Sequence, residues 1–341
     1  MKGNSFFSRA NRKLKRIYYS CKQEFIDKTP LFSKEYGKLY LPYYNLGAKI
    51  SESSPEVFNK SGEKLEFIFI RDICMAHNPY GTSQYFLFDR FNFGLPKHIY
   101  THNDMLRQIG KPQKKYGALI ESEAIVPNDY KIFKKNKGLE KDFDKIFTYS
   151  FDILQSIPNA EFVPFCSNIW YGDEINGGIL SKSAYLEKKR NISIVSSGKT
   201  GCELHRLRLE IARKCKRLNL ADTYGTFDGG PLVKLAESLT DYRYSIAIEN
   251  DIKPYFFTER ITSCFAAMTI PIYLGATKID DFFNPDGIIK ITEKDYDNLE
   301  SILSKCTKEY YEEHIEAVID NFNRVQKYIN IWDNFYLDYL K

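Results

Sequence analysis

Between residues 242 and 275 the hydrophobic pattern changes period twice. Tyr244, Ile246 and Ile248 alternate with Arg243, Ser245, Ala247 and Glu249, which predicts a strand with two unlike faces. A polar loop follows. From Thr258 the spacing becomes helical, with Ile261, Cys264, Phe265 and Met268 at i, i+3, i+4 and i+7, and Thr258 is placed to cap that helix. The apolar run "IPIYLG" then predicts another strand. Strand, helix and strand within about thirty residues make a βαβ unit, so the two strands are expected to be parallel.

The same periods recur along the chain. "KLEFIFIRDI" (64–73) predicts a strand, "YGALIESEAIVPNDY" (116–130) a strand ending at Glu121, and "KIFTYSFDIL" (145–154) and "EFVPFC" (161–166) further βα pieces. "NISIVSS" (191–197) predicts a strand, and a helix follows from Glu203 to Leu218 with Leu204, Leu207, Ile211 and Cys215 on one stripe. "DTYGTFDGG" reads as turns. Ile315, Val318, Phe322, Val325, Ile329, Trp332, Tyr336 and Tyr339 form a final helical stripe. Residues 167–190, rich in Gly, Ser and charge, read as an interdomain linker.

A chain of 341 residues is long for one core, and 43% hydrophobic with 15% aromatic content argues against disorder. The organisation expected is a basic segment over 1–23, a first α/β domain over 24–175, a second over 190–310, and a C-terminal helix over 311–341 that could cross back to the first domain. The net charge of +5 suits an anionic ligand, not a dedicated nucleic-acid binder. No run of about 18 apolar residues is present, and the N-terminal cations lack a following apolar core, so neither a membrane span nor a secretory signal is expected. Seven scattered cysteines without a C-x-x-C pair read as free thiols, which predicts a cytoplasmic protein. Residues 1–23 carry seven Lys and Arg, no acid and several aromatic residues, open to a solvated tail or to peripheral contact with anionic lipid at the inner membrane surface.

Chemistry concentrates in "ENDIKPYFFTER" (249–260). Ligands of parallel sheets bind beyond the carboxyl ends of strands, where this loop is expected. Arg260 falls in a helix's first turn, where a cation opposes the macrodipole unless an anion binds there too. Glu259 beside it could accept from ribose hydroxyls, and Asn250 could hold a ribose or phosphate.

The stretch from Tyr242 to Gly275 resembles the signature of the GDP-fucose-dependent α-1,3-fucosyltransferases, glycosyltransferase family 10. That pattern runs Tyr-Lys-Phe, an apolar strand, Phe-Glu-Asn, a loop with an aromatic, Thr-Glu-Lys, a helix, and an apolar strand ending in Gly. Here it reads Tyr242-Arg243-Tyr244, Ile248-Glu249-Asn250, Thr258-Glu259-Arg260 and 270–275, with "FFNPDGIIKI" (282–291) extending it. The resemblance implies a GT-B fold, α/β with two facing Rossmann-like domains, and inverting transfer of L-fucose from GDP-fucose to an acceptor oligosaccharide. It places Asn250, Glu259 and Arg260 on the GDP ribose and diphosphate. The family Lys becomes Arg260, and the loop tyrosine falls on Phe256, with Tyr255 next to it as a replacement hydroxyl. An arginine entering the helix after the first strand of the nucleotide domain matches Arg206, whose alternative is an exposed helix face shared with Arg208 and Arg213. The family base is a glutamate at a strand end in a Glu-Ser-Pro-like context. "LIESEAIVPN" offers Glu121, with Glu123 the alternative, and two residues apart in extended chain they would point the same way. No metal is required on this reading, since no Asp-x-Asp clasp occurs, although a divalent ion could stimulate transfer.

Other constellations are weaker. "SSGKTG" (196–201) lacks the first glycine of a phosphate loop. His98 and His102 in "HIYTH" could share a helix face as metal ligands, but aromatic packing or acceptor contact is the more ordinary role. A different GDP-linked sugar, or a non-catalytic glycan- or nucleotide-binding relative, remains open on the sequence.

Overall fold

The computed structural model describes residues 57–59, 61–71, 83–89, 94–164 and 187–341, together with Leu14. The rest of the basic segment 1–23, and the linker as far as residue 186, lie outside the described residues. The chain divides into two compact units, Met1–Phe165 with Trp332–Lys341, and Cys166–Ile331.

The first unit is built on six parallel strands, β1 (Glu66–Arg71), β2 (Phe86–Asp89), β3 (Lys97–Thr101), β4 (Lys114–Leu119), β5 (Lys145–Thr148) and β6 (Ala160–Phe162), in the order β2-β1-β3-β4-β5-β6. Ile68, Phe69, Ile70, Leu119, Ile146 and Phe147 are all but inaccessible, as expected for strands covered on both faces. "HIYTH" is therefore not helical: His98 lies in β3, bonded through Nδ1 to Tyr100 Oη at 2.8 Å, and His102 follows the strand's end. A helical metal pair is excluded on that ground. Helix α1 (Phe151–Ser156) joins β5 to β6.

The second unit carries β7 (Arg190–Val195), α2 (Glu203–Leu218), β8 (Asp222–Tyr224), α3 (Leu235–Leu239), β9 (Tyr242–Ile248), α4 (Glu259–Ala266), β10 (Ile270–Leu274) and β11 (Ile289–Lys290). Its strands are again all parallel, ordered β11-β10-β9-β7-β8. The turns expected over "DTYGTFDGG" begin instead with the edge strand β8. Gly225, which ends it, has φ +102, and a Cβ there would meet the Ser196 carbonyl oxygen at 2.1 Å, so only glycine lets the β7 and β8 ends come this close. Lys188 is buried, and its ammonium donates to the carbonyls of Leu239, Thr240 and Ala267 and to Thr269 Oγ1, tying the ends of α3 and α4 to the start of β10. Burial pulls its pKa down to about 7.

The C-terminal stripe forms α5 (Ile315–Val325), α6 (Ile331–Phe335) and a final wide turn rather than one helix. Its last ten residues belong to the first unit. There Phe335 meets Phe147 edge-on at 4.7 Å between ring centroids, Tyr336 stacks on Tyr85 and Phe86, and Asp333 accepts from Ser83 Oγ and the Gln84 amide.

Candidate active site

Sheet order locates the site in the second unit. Counted from β7, the order is 2-1-3-4-5, and the chain reverses direction across the sheet between β7 and β9. A crevice opens outside the carboxyl ends of the strands at such a point. The loops leaving those two strands, 196–202 and 249–258, meet there: Cys202 Sγ donates to the Asn250 carbonyl at 3.3 Å.

Glu249 organises the second loop. Its carboxylate, fully buried at the end of β9, accepts from the Thr258 amide at 2.9 Å and from Thr258 Oγ1 at 2.7 Å. Thr258 Oγ1 in turn accepts from the Arg260 amide at 3.3 Å, the N-cap expected from the sequence. The consequence is positional. Glu259 and Arg260 are fixed as the first two residues of α4, both half-buried. The Arg260 guanidinium has no hydrogen-bond or ion-pair partner among the described residues, so a cation is held beside a helix N-terminus with the buried Glu249 as a charge nearby but not in contact. Burial raises the Glu249 pKa to about 7 against the opposing pull of Arg260 and the Thr258 hydroxyl.

On the α2 side the arginines separate. Arg206 is exposed in the first turn, its Nη1 donating to the Thr200 carbonyl at 3.0 Å, whereas Arg208 is 1% exposed and donates to the Ile248 carbonyl at 2.9 Å. The alternative, an exposed face shared by Arg206, Arg208 and Arg213, does not hold for Arg208. Position 208 lies on the apolar stripe with Leu204, Ile211 and Cys215, a signal present in the spacing. Burial, then Arg260, lowers the Arg208 pKa to about 9, which leaves it charged at neutral pH. His205 is buried as well, and burial with Arg208 and Arg260 lowers its pKa to about 4. Asn250 Oδ1 and His205 Nδ1 are buried without a partner.

Phe256 is 4% exposed and belongs to the core, while Tyr255 is half-buried, edge-on to Phe282 at 5.6 Å. A cavity of about 200 Å³ opens beside Glu259 and Arg260, walled by Val195, Leu235 and Leu239, with the unpartnered Ser263 hydroxyl in its lining. The second unit therefore gathers fixed cations, helix N–H donors, an acceptor carboxylate and an adjacent cavity, a combination suited to an anionic ligand with a hydroxylated or cyclic part.

In the first unit, Glu121 follows β4, which ends at Leu119, two residues earlier than the sequence suggests. Its peptide is held on both sides. The amide donates to His102 Nε2 at 3.0 Å, and the carbonyl accepts from Tyr130 Oη at 2.5 Å and Tyr149 Oη at 3.3 Å. The half-exposed side chain accepts from the Ser122 amide at 2.8 Å. Glu123 lies in a turn closed by Ile125 and Val126 amides on the Ser122 carbonyl, so the alternation expected of extended chain does not relate the two glutamates.

Residues 186–330 match the family described as Glycosyltransferase family 10 (fucosyltransferase) C-term. The second unit is thus similar to the C-terminal part of the family 10 glycosyltransferases. Solved structures with a similar chain course include an α1,3-fucosyltransferase with GDP (14% identity, 84% of this chain and 95% of that one, TM-score 0.46) and one with GDP-fucose (15%, 81% and 92%, 0.42). A sucrose-phosphate synthase from Thermosynechococcus elongatus is also similar (9%, 85% of each chain, 0.49). The assignment rests on the family match. The matched residues include Arg206, Asn250, Tyr255, Phe256, Glu259 and Arg260, and both units are α/β with parallel sheets. The chain is accordingly a glycosyltransferase. Glu121 and Glu123 lie outside the matched residues, in the first unit. Among the described residues there is no helix long and apolar enough to cross a membrane, and no cluster of three metal-ligating side chains.

Proposed function

We propose that this enzyme transfers L-fucose from GDP-fucose to a hydroxyl of an acceptor oligosaccharide with inversion, through an α-1,3-type linkage. The observation that carries the reading is Arg260, whose backbone is held in the first turn of α4 by the Glu249–Thr258 cap and whose guanidinium has no hydrogen-bond or ion-pair partner among the described residues, inside the stretch that matches family 10. Glu259 takes the ribose hydroxyls, Asn250 and Tyr255 line the nucleotide, and Arg206 and Arg260 face the diphosphate. As the bond from the anomeric carbon to the diphosphate breaks, its electron pair leaves on the diphosphate oxygen. Cations and N–H groups already aimed there stabilise the transition state more than the ground state. The acceptor oxygen attacks from the opposite face and gives its proton to Glu121. Charge stabilisation of this kind works without a divalent metal, which would at most stimulate.

Glu121→Gln keeps size and hydrogen bonding but removes the base, so kcat for GDP release falls by roughly 10²–10⁴. Donor affinity is unchanged, because the donor residues are all in the other unit. Unchanged kcat would remove Glu121 from the mechanism, and loss in Glu123→Gln instead would transfer the role. Thermal-shift measurements against GDP-fucose, GDP-mannose, UDP- and CMP-sugars test the donor: a larger shift with a UDP-sugar would refute the nucleotide assignment. Residues 1–23 would hold the enzyme at the cytoplasmic membrane surface. Vesicle binding that survives their removal would discard that part.

A further inference from the structure

From the contacts around β3 and β4 we infer that His102 is a positioning residue for the base, setting the direction of Glu121 without touching substrate. The inference rests on Glu121 being that base. Strands β3 and β4 are paired as far as Thr101 opposite Ala118, and beyond this point the amides of Ile120 and Glu121 run out of ladder partners. The imidazole of His102 supplies one: Nε2 accepts from Ile120 N at 3.3 Å and from Glu121 N at 3.0 Å. To bring the ring there, His102 adopts φ +51, a left-handed conformation that few L side chains take and that tends to mark a functional constraint.

An Nε2 that accepts twice fixes the tautomer, so the proton is on Nδ1, which lies 3.4 Å from Asp129 Oδ2. Asn103 Nδ2 donates to the other Asp129 oxygen, orienting that carboxylate. With Tyr130 and Tyr149 on its carbonyl, the Glu121 peptide is clamped at both polar groups. The side chain that would take the proton is left with one further contact, the Ser122 amide on Oε1. Burial favours the neutral ring, lowering its pKa to about 4, so the ring stays an acceptor across the working pH range.

The test compares His102→Ala, His102→Gln and His102→Asn in the full chain, following GDP release from saturating GDP-fucose with water or added oligosaccharide as acceptor. A glutamine carbonyl reaches the place of Nε2. Asparagine accepts the positive φ but is too short to reach either amide. The expected result is a kcat about tenfold lower in the Ala and Asn variants and within threefold of wild type in Gln, with GDP affinity within twofold throughout. In a Glu121→Gln background His102→Ala should add less than a twofold further loss, since it acts through a base already removed. Multiplied losses in the double variant, or Gln no better than Asn, would overturn the role of His102. Full turnover in Glu121→Gln would instead overturn the base assignment on which it rests. Should the Ala variant fail to fold, the Gln–Asn comparison still decides, with GDP affinity reporting an intact second unit.

Discussion

Replacing Gly275 by alanine tests whether the Glu249 clamp governs both the stability of the second unit and its donor site. Gly275 directly follows β10, and a Cβ built on it would lie 2.4 Å from Glu249 Cγ, 2.4 Å from Tyr273 Oη and 2.6 Å from Tyr273 Cζ. Real Cβ contacts are about an ångström or more longer, so something must move. Neither neighbour is free to do so. Glu249 is bound to Thr258 through both oxygens, and Tyr273 Oη accepts from the Ala276 amide at 3.0 Å inside a fully buried ring pocket. Overpacking of this kind costs about 1–3 kcal/mol, and weakening the Thr258 cap adds about 1 kcal/mol, for a loss of about 2–4 kcal/mol. Because the cap fixes Glu259 and Arg260, the KM for GDP-fucose should rise about tenfold in parallel, the equivalent of about 1.4 kcal/mol. Gly198→Ala is the control, since nothing lies within 4 Å of its Cβ, and it should stay within about 0.5 kcal/mol of wild type. Urea unfolding followed through the second unit gives the comparison. A Gly275→Ala protein as stable as Gly198→Ala would show that the carboxylate is not held as argued.

Arg260→Ala should lose about 2–4 kcal/mol of transition-state stabilisation in kcat/KM, and Arg260→Lys should retain part of the activity because the charge remains; equal activity of wild type and Arg260→Ala at subsaturating donor would refute the contact. Glu249 is raised from an ordinary carboxylate value to about 7 by burial, so its favourable protonated state is fully present below about pH 4.5 and is lost as pH rises through 7. Glu249→Gln should therefore gain about 3 kcal/mol on wild type between pH 4 and pH 8, and a pH-independent difference would contradict this. His102 runs the other way: depressed to about 4, it withholds a proton that the unfolded chain takes below about pH 6.5, so stability falls as pH drops from there to 4. His102→Gln should flatten that acid limb in urea titrations. Transfer should continue in EDTA; complete loss restored by a divalent ion would reveal a metal site.

Local pattern was enough for every element whose residues answer mainly to their neighbours in sequence. The β9–α4–β10 unit was legible because a period of two gives way to one of 3.6 at a capping threonine, and α2 occupies the range its stripe predicts. Asn250, Glu259 and Arg260 could be singled out for the same reason, since a loop after a strand and a cation in a helix's first turn are both local facts. Residues whose partners lie far along the chain were not legible. The spacing puts Arg208 on the apolar stripe, but nothing near it shows that the Ile248 carbonyl, forty residues on, will accept its Nη1. β8 looked like turns because a three-residue edge strand is made by its pairing with β7, not by its own composition. His98 and His102 suggested a helical pair until pairing with β1 and β4 drew residues 97–101 into the sheet. The two glutamates seemed alike in extended chain, yet the turn after Ser122 and the clamp of His102, Tyr130 and Tyr149 set Glu121 apart. Sequence periodicity decides which face of an element is apolar. Only the folded sheet, by bringing strand ends from distant parts of the chain to one edge, decides which polar atoms find a partner there and which are left for a ligand.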